Sequence, residues 1–242
     1  MYPWKCWRDN RSRFILFLIA VSVVRFSITI NLARGGTIVG RGGVVHLWSE
    51  MAWVILGTIC SILTLLAALT LAVSSLGHEF KEQTMGFLLT RPRHRRYWIW
   101  TCWGVGVCEL WGIVFLPVLA TFAALRFLPG YVYTWRVLAA ILPMFVGAVA
   151  VYGLTYLLTV VFRSGEQGIS YGLGLVAVDL LLPMVMLNWH FHLSSVMSFM
   201  IDGCAWATSP TLAFPIGKLV IYTVVALAFP LAAQLVLECA EV

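Results

Sequence analysis

Three ionisable side chains stand inside long apolar stretches of this sequence and are the first candidates for chemistry: Arg25, Glu109 and Asp179. A charge at the centre of a helix in lipid costs about 2.5–3.5 kcal/mol on insertion scales, so each residue needs a partner or a function. Each lies roughly 10 to 12 residues into its stretch, or about 15–18 Å at the helical rise per residue. We hypothesise a buried cluster in which Arg25 neutralises one carboxylate and leaves the other for a polar substrate or a proton. An ion pair that only fixes helix register is the alternative interpretation.

A second set of polar residues lies between two apolar stretches, in the segment from Gly77 to Arg96. Helical spacing places apolar residues such as Phe80 and Phe87 on one face of this segment and polar residues on another, which predicts an amphipathic helix. Pro92 cannot continue that helix, so the chain should turn just before it. A helix of this kind can dock a soluble partner through its polar face, whereas a solvated basic loop is the plainer interpretation. The polar face carries Glu79, Glu82, Gln83 and Gly86.

The elements that position these residues are predicted to be six transmembrane helices. Of the 242 residues, 61% are hydrophobic and 11% are charged, which is too apolar for an ordinary soluble domain. The apolar stretches are continuous over roughly 20 residues, as a membrane helix needs, whereas strands of a barrel would alternate. The sequence therefore predicts an all-α membrane protein with a single domain over residues 1–242. The predicted spans are about 14–32, 51–76, 98–125, 137–162, 169–187 and 212–237.

Basic residues predict how these spans are oriented. Ten Lys or Arg residues fall before the first span, between the second and third, or after the fourth, and four fall in the opposite loops. The positive-inside rule therefore places both termini in the cytoplasm of a multi-pass protein. The net charge of +6 is explained by this topology, and no nucleic-acid partner is expected. No signal-peptide cleavage site follows the first basic region, so we expect an uncleaved first helix.

Two flanking segments are predicted to lie at the membrane interfaces. Residues 2–13 combine Pro3, Trp4 and Trp7 with basic residues, which favours a short interfacial helix over a disordered basic leader. Residues 188–210, between the fifth and sixth spans, are rich in aromatic residues. We expect them to form short helices at the outer interface, either as part of the transport path or as a structural cap.

The segment between the second and third spans resembles the first cytoplasmic loop of the permease subunits of ABC-2 type transporters. In that family an acidic residue is followed by a small pair, two or more leucines, a proline and a nearby arginine. The chain departs from the pattern in the order of Thr84 and Gly86, and it has Thr101 where many relatives carry Lys. The matching residues are Glu79, Glu82, Thr84, Gly86, Leu88, Leu89, Pro92 and Arg95, with Gln83 and Arg91 beside them.

The resemblance implies a function, a set of partners and a location. The segment would be a coupling helix that binds a cytoplasmic ATPase subunit of an ATP-binding cassette exporter. Two permease chains, identical or sibling, would pair in the cell membrane of a bacterium, and the ATPases would hydrolyse the ATP. The chain itself would then not be an enzyme, and it would need no cofactor. The family exports lipids, glycans, peptides, drugs or ions, so the resemblance leaves the substrate open.

Other functions are disfavoured by what the sequence lacks. There is no Gly-x-x-x-x-Gly-Lys-Ser/Thr motif, and the six cysteines are scattered without a C-x-x-C pair, so neither an ATPase nor a metal site is expected. A haem- or quinone-binding membrane subunit remains the alternative, although all five histidines fall in loops or at interfaces. An intramembrane protease or hydrolase would need ligand pairs or a serine with a base, and neither pattern occurs.

Overall fold

The computed structural model describes residues 2–35, 44–81, 92–125, 139–186, 195–208 and 213–239. These residues form seven α-helices, and no strand occurs among them. The predicted all-α class is therefore confirmed for the described part of the chain. The helices are α1 (Tyr2–Gly35), α2 (Val44–Lys81), α3 (Pro92–Leu125), α4 (Ile141–Phe162), α5 (Gly165–Met186), α6 (Val196–Thr208) and α7 (Ile216–Cys239).

Four of these helices are long and apolar enough to cross a membrane. These helices are α2, α3, α4 and α7, and the mean hydropathy of their membrane-length stretches is between 2.0 and 2.3. The predicted first and fifth spans fall on α1 and α5. Over their described residues, these two helices are not among the four that are long and apolar enough to cross a membrane. The four membrane-length stretches are Ile55–Ser74, Arg96–Ala123, Ile141–Phe162 and Ile216–Cys239.

Helices α2 and α4 form the centre of the bundle. α2 contacts α1, α3, α4, α5 and α6, and α4 contacts α2, α3, α5, α6 and α7. The membrane-length stretches of α2 and α4 are each 61% buried inside the protein, whereas that of α7 is 17% buried. α7 instead exposes large apolar side chains along its length, including Ile221 and Leu231. An outer helix with this surface is suited to contact with lipid or with another apolar chain.

The first helix differs from the expected arrangement of a separate interfacial helix followed by a span. α1 runs without a break from Tyr2 to Gly35, so residues 2–13 are its first three turns. One face of these turns packs into the bundle, since Cys6 and Asn10 are buried, whereas Trp4 is exposed. No proline or glycine interrupts this part of the helix after Pro3, which explains its continuity.

The segment predicted as a coupling helix lies largely outside the described residues. Its first part, from Gly77 to Lys81, is the C-terminal end of α2, so this part continues a central helix without a break. Residues 82–91 are outside the described part of the chain. Pro92 is the first residue of α3, a position at which proline is favoured because its missing N–H has no partner in the helix. Between the fifth and sixth predicted spans, the structure describes one helix, α6.

Helices α2 and α5 cross in close contact at two glycines. A Cβ atom placed on Gly165 would lie 2.9 Å from the Cα atom of Gly77 and 2.7 Å from Cγ1 of Val73. The turn that brings α5 to this position is made by Arg163, which adopts a left-handed conformation with φ of 50° after α4. The crossing therefore depends on the absence of side chains at both glycines.

We expect Gly165→Leu to destabilise the bundle by about 1–3 kcal/mol, because the new side chain forces α2 and α5 apart. The free energy of unfolding in detergent would measure this. Gly174→Leu is the control in the same helix, because nothing lies within 4 Å of a Cβ atom placed there. Equal stabilities of the two variants would contradict the close crossing.

Candidate functional site

The three charged residues predicted to form an intramembrane cluster lie apart in the structure, and the cluster hypothesis is corrected. Glu109 bonds to Asn10 at 2.7 Å, and Asp179 bonds to the start of α6. Arg25 lies fifteen residues beyond Asn10 on α1, or about 22 Å along the helix. No hydrogen bond or ion pair joins any two of these three described residues. The expected equal depth is not found, because the helices begin before the predicted spans: Arg25 lies 23 residues after Tyr2, Glu109 17 after Pro92 and Asp179 14 after Gly165.

Asn10 joins three helices at a buried polar bridge. Its Nδ2 donates a hydrogen bond to Oε2 of Glu109 on α3, and its Oδ1 accepts one from the hydroxyl of Ser74 on α2. Asn10 is 0% exposed and Glu109 is 3% exposed, so this bridge is shielded from solvent. Oε1 of Glu109 has no hydrogen-bond partner among the described residues. A buried carboxylate oxygen without a partner is costly, so Glu109 is the strongest candidate for ligand binding in the described bundle.

Asp179 has a structural role at the start of α6. Its two carboxylate oxygens accept hydrogen bonds from the backbone N–H groups of Val196 and Met197, at 3.1 and 3.2 Å. These N–H groups belong to the first turn of α6, where a helix lacks internal acceptors and favours negative charge. Asp179 therefore fixes α6 against α5, with each carboxylate oxygen bonded to the backbone of α6.

Arg25 is buried in α1 and is 6% exposed. Its Nε has no hydrogen-bond partner among the described residues. The hypothesised neutralisation of Glu109 or Asp179 by Arg25 is not observed, since no ion pair or hydrogen bond joins Arg25 to either of these described carboxylates.

An apolar groove runs along the outside of α1 and α3 and reaches Glu109. Its volume is about 670 Å³, which falls in the range of small-molecule sites. The walls are mainly aromatic and aliphatic, and Gly104 leaves one wall without a side chain. The lining residues include Trp4, Trp7, Trp100, Gly104, Cys108 and Glu109.

A second, polar cleft of about 840 Å³ lies where α1, α2 and the turn between α4 and α5 meet. It is lined by two carboxylates and two guanidinium groups, and Nη1 of Arg13 donates a hydrogen bond to the carbonyl of Thr70 at 2.9 Å. Phe80, near the end of α2, also lines this cleft. The four charged residues of the lining are Asp9, Arg13, Arg163 and Glu166.

The start of α3, which follows the predicted coupling segment, is joined to α7. Arg96, four residues after Pro92 at the start of α3, pairs with Glu238 of α7 at 2.8 Å. The indole N–H of Trp100 bonds to Gln234, and the amide of Gln234 bonds to Glu238. α3 and α7 are therefore joined at the end from which the segment leaves.

Most residues predicted to bind the ATPase are outside the described part of the chain. These are Glu82, Gln83, Gly86, Leu88, Leu89 and Arg91. Glu79 lies in the last turn of α2, and Pro92 and Arg95 lie in the first turn of α3. Among the described residues, no group of three or more His, Cys, Asp or Glu side chains is placed to hold a metal ion.

Comparisons of the chain with protein-family models, with curated proteins and with solved structures found no match. The residues, contacts and clefts described above are therefore the support available for an assignment of function. They comprise a helical bundle with four membrane-length helices, a buried bridge at Glu109, one apolar groove and one polar cleft.

We expect Asn10→Leu to lower the free energy of unfolding by about 1–3 kcal/mol, because Glu109 would lose its hydrogen-bond donor while remaining buried. Chemical unfolding in detergent micelles would measure the loss. Ser12→Leu is the control, since Ser12 is exposed on the same helix. A loss no greater than that of the control would show that the bridge contributes nothing to stability.

Proposed function

We propose that this chain is the membrane-spanning permease subunit of an ABC-2 type exporter. The observation that carries the proposal is the segment from Glu79 to Arg95, whose residues resemble the coupling segment of that family. The segment begins on α2, a helix that is central to the bundle. A partner bound to this segment would therefore act directly on the core.

The packing of α2 supports a mechanical role for this segment. α2 is a single helix from Val44 to Lys81, and it contacts α1, α4 and α5. A helix transmits an axial or tilting displacement along its length, because its backbone hydrogen bonds resist local bending. Movement imposed near Lys81 would therefore reach the Ser74 bridge and the Gly77–Gly165 crossing within two turns.

The second connection of the segment is to α3. Because Arg96 and Trp100 are bonded to α7, a displacement at Pro92 would move α3 and α7 together. ATP-driven closure of two cytoplasmic ATPase subunits would then act, in each permease, on α2 and on the joined helices α3 and α7. Alternating access would result from the movement of α2 relative to α3 and α7.

The proposal includes six membrane spans, with α1 and α5 as the first and fifth. At about 1.5 Å per residue, the 34 residues of α1 and the 22 residues of α5 each exceed the roughly 30 Å of the hydrocarbon core. Both termini would be cytoplasmic in a bacterial cell membrane, as the distribution of basic residues predicts. Two permease chains would pair, and each would recruit one ATPase.

We expect Glu82→Arg to abolish co-purification of the chain with its ATPase, because the reversed charge would face the docking surface. The measurement is the ATPase retained on the affinity-tagged permease, together with its ATP hydrolysis. Glu50→Arg makes the same change near the start of α2, at the other end of that helix. Undiminished binding by the Glu82 variant, or equal loss in both variants, would contradict the coupling role.

We expect reporter fusions to show that α1 and α5 cross the membrane. A fluorescent protein placed before Met1 should fold in the cytoplasm, and alkaline phosphatase fused after Gly40 should be active outside. Across α5, phosphatase fused after Gly165 should be inactive and after Ser194 active. A pair that reports the same side would remove that helix from the spans. Fusions after Gly40 and Gly86, on either side of α2, provide the positive control.

A further inference from the structure

The groove between α1 and α3 combines apolar walls with one buried acidic group. Three tryptophans line it, and Trp4 is 67% exposed along its open side. Glu109 lines its inner wall, and one oxygen of this carboxylate has no hydrogen-bond partner among the described residues. None of the described residues that line the groove is basic. The groove therefore holds a buried acidic group that has no basic partner among the described lining residues.

The walls suit a cation better than an anion or a neutral ligand. Tryptophan faces attract a positive charge within about 6 Å of the ring centroid, and they do so more strongly where water is excluded. Trp100 is also fixed in place, because its indole nitrogen bonds to Gln234 and its ring meets that of Trp103 at 5.6 Å. A rigid aromatic wall loses little conformational entropy when a ligand binds to it.

Space for a ligand exists in the groove at Gly104, whose lining also includes Glu109. A Cβ atom placed on Gly104 would have no neighbour within 4 Å, although this residue lies in the middle of α3. Gly106, two residues later, is instead packed tightly against Tyr152 of α4. The two glycines therefore serve different purposes: Gly106 allows close helix packing, and Gly104 leaves the groove open.

We propose that this groove binds a hydrophobic organic cation, whose charge is held by Glu109 and whose apolar body packs against Trp4, Trp7 and Trp100. A monocation supplies the opposite charge that the buried carboxylate lacks. A zwitterionic lipid headgroup fits less well, because its phosphate would enter the same apolar space without a donor for its oxygens. A plain acyl chain would fill the groove but leave Glu109 without a partner.

Binding to the groove requires only this chain, so it can hold or fail independently of the exporter assignment. If the chain is also an exporter subunit, as proposed above, the bound cation would be its cargo. In that case Trp100 links the site through Gln234 and Glu238 to Arg96, beside the coupling segment. Binding of the cation in the groove would then change the position of the helix ends beside the segment that binds the ATPase.

The probe is radiolabelled tetraphenylphosphonium, measured by equilibrium dialysis against the full-length chain in a neutral detergent, with protein-free micelles as the blank. Tetraphenylborate is the matched probe, because it has similar size and shape and the opposite charge. We expect saturable binding of the phosphonium and none of the borate. Equal binding of the two ions would overturn the proposal, since it would reduce the site to a nonspecific apolar surface.

Two variants test the site itself. Glu109→Gln keeps the size of the side chain and an acceptor for Asn10, and it should weaken phosphonium binding at least tenfold. Gly104→Leu fills the groove while leaving the carboxylate intact, and it should abolish binding. Trp111→Ala is the control, because Trp111 is exposed on the same helix and is not among the residues that line the groove.

Two further outcomes would contradict the assignment. Unchanged binding by Gly104→Leu, a variant whose new side chain meets open space, would place the cation elsewhere even if the Glu109 variant failed to fold. Complete competition by phosphatidylcholine added to the micelles, but not by phosphatidylglycerol, would assign the groove to a lipid headgroup and overturn the proposal. Retention of phosphonium binding under both lipids supports it.

Discussion

A polar atom inside an apolar helical bundle costs free energy unless it finds a partner within the protein, because neither lipid nor a dry core supplies one. The bridge at Asn10 meets this requirement for three helices at once, by joining Ser74 of α2 to Glu109 of α3. Elsewhere the hydroxyls of Tyr152 and Tyr156 on α4 donate to backbone carbonyls of α3, and Asp179 accepts from the backbone of α6. These long-range bonds fix how the helices are rotated, and one oxygen of Glu109 is left over.

The oxygen of Glu109 without a partner and the groove both lie where α1 packs on α3. Asn10 holds the two helices together at Glu109, and the groove extends from this point along both helices to Trp4 and Trp100. The absence of a side chain at Gly104 keeps it open. The first three turns of α1 form one side of this groove, so these turns are part of the described bundle.

The same packing relates the groove to the proposed coupling segment. α2 contributes Ser74 to the bridge and, two turns later, ends at Lys81, where the segment starts. α3 begins at Pro92, where the segment ends, and it contributes Trp100 and Glu109 to the groove. Each of the two helices that flank the segment in the sequence therefore contributes a residue to the bridge or to the groove. An ATPase that moved them relative to α1 would alter the shape of the binding site, which is a physical basis for coupling binding to ATP hydrolysis.

The sequence by itself determined the helical class and the apolar stretches, because these follow from local composition and from hydrophobic patterning. It also singled out Glu109 as a residue that needs a partner, but it assigned the wrong one. Asn10 was not identified, since a single Asn among basic residues looks like part of a solvated leader and its partner is 99 positions away. Only the tertiary structure decided which residues face each other, because the tilt and rotation of a helix depend on how its side chains pack against those of helices distant in the sequence.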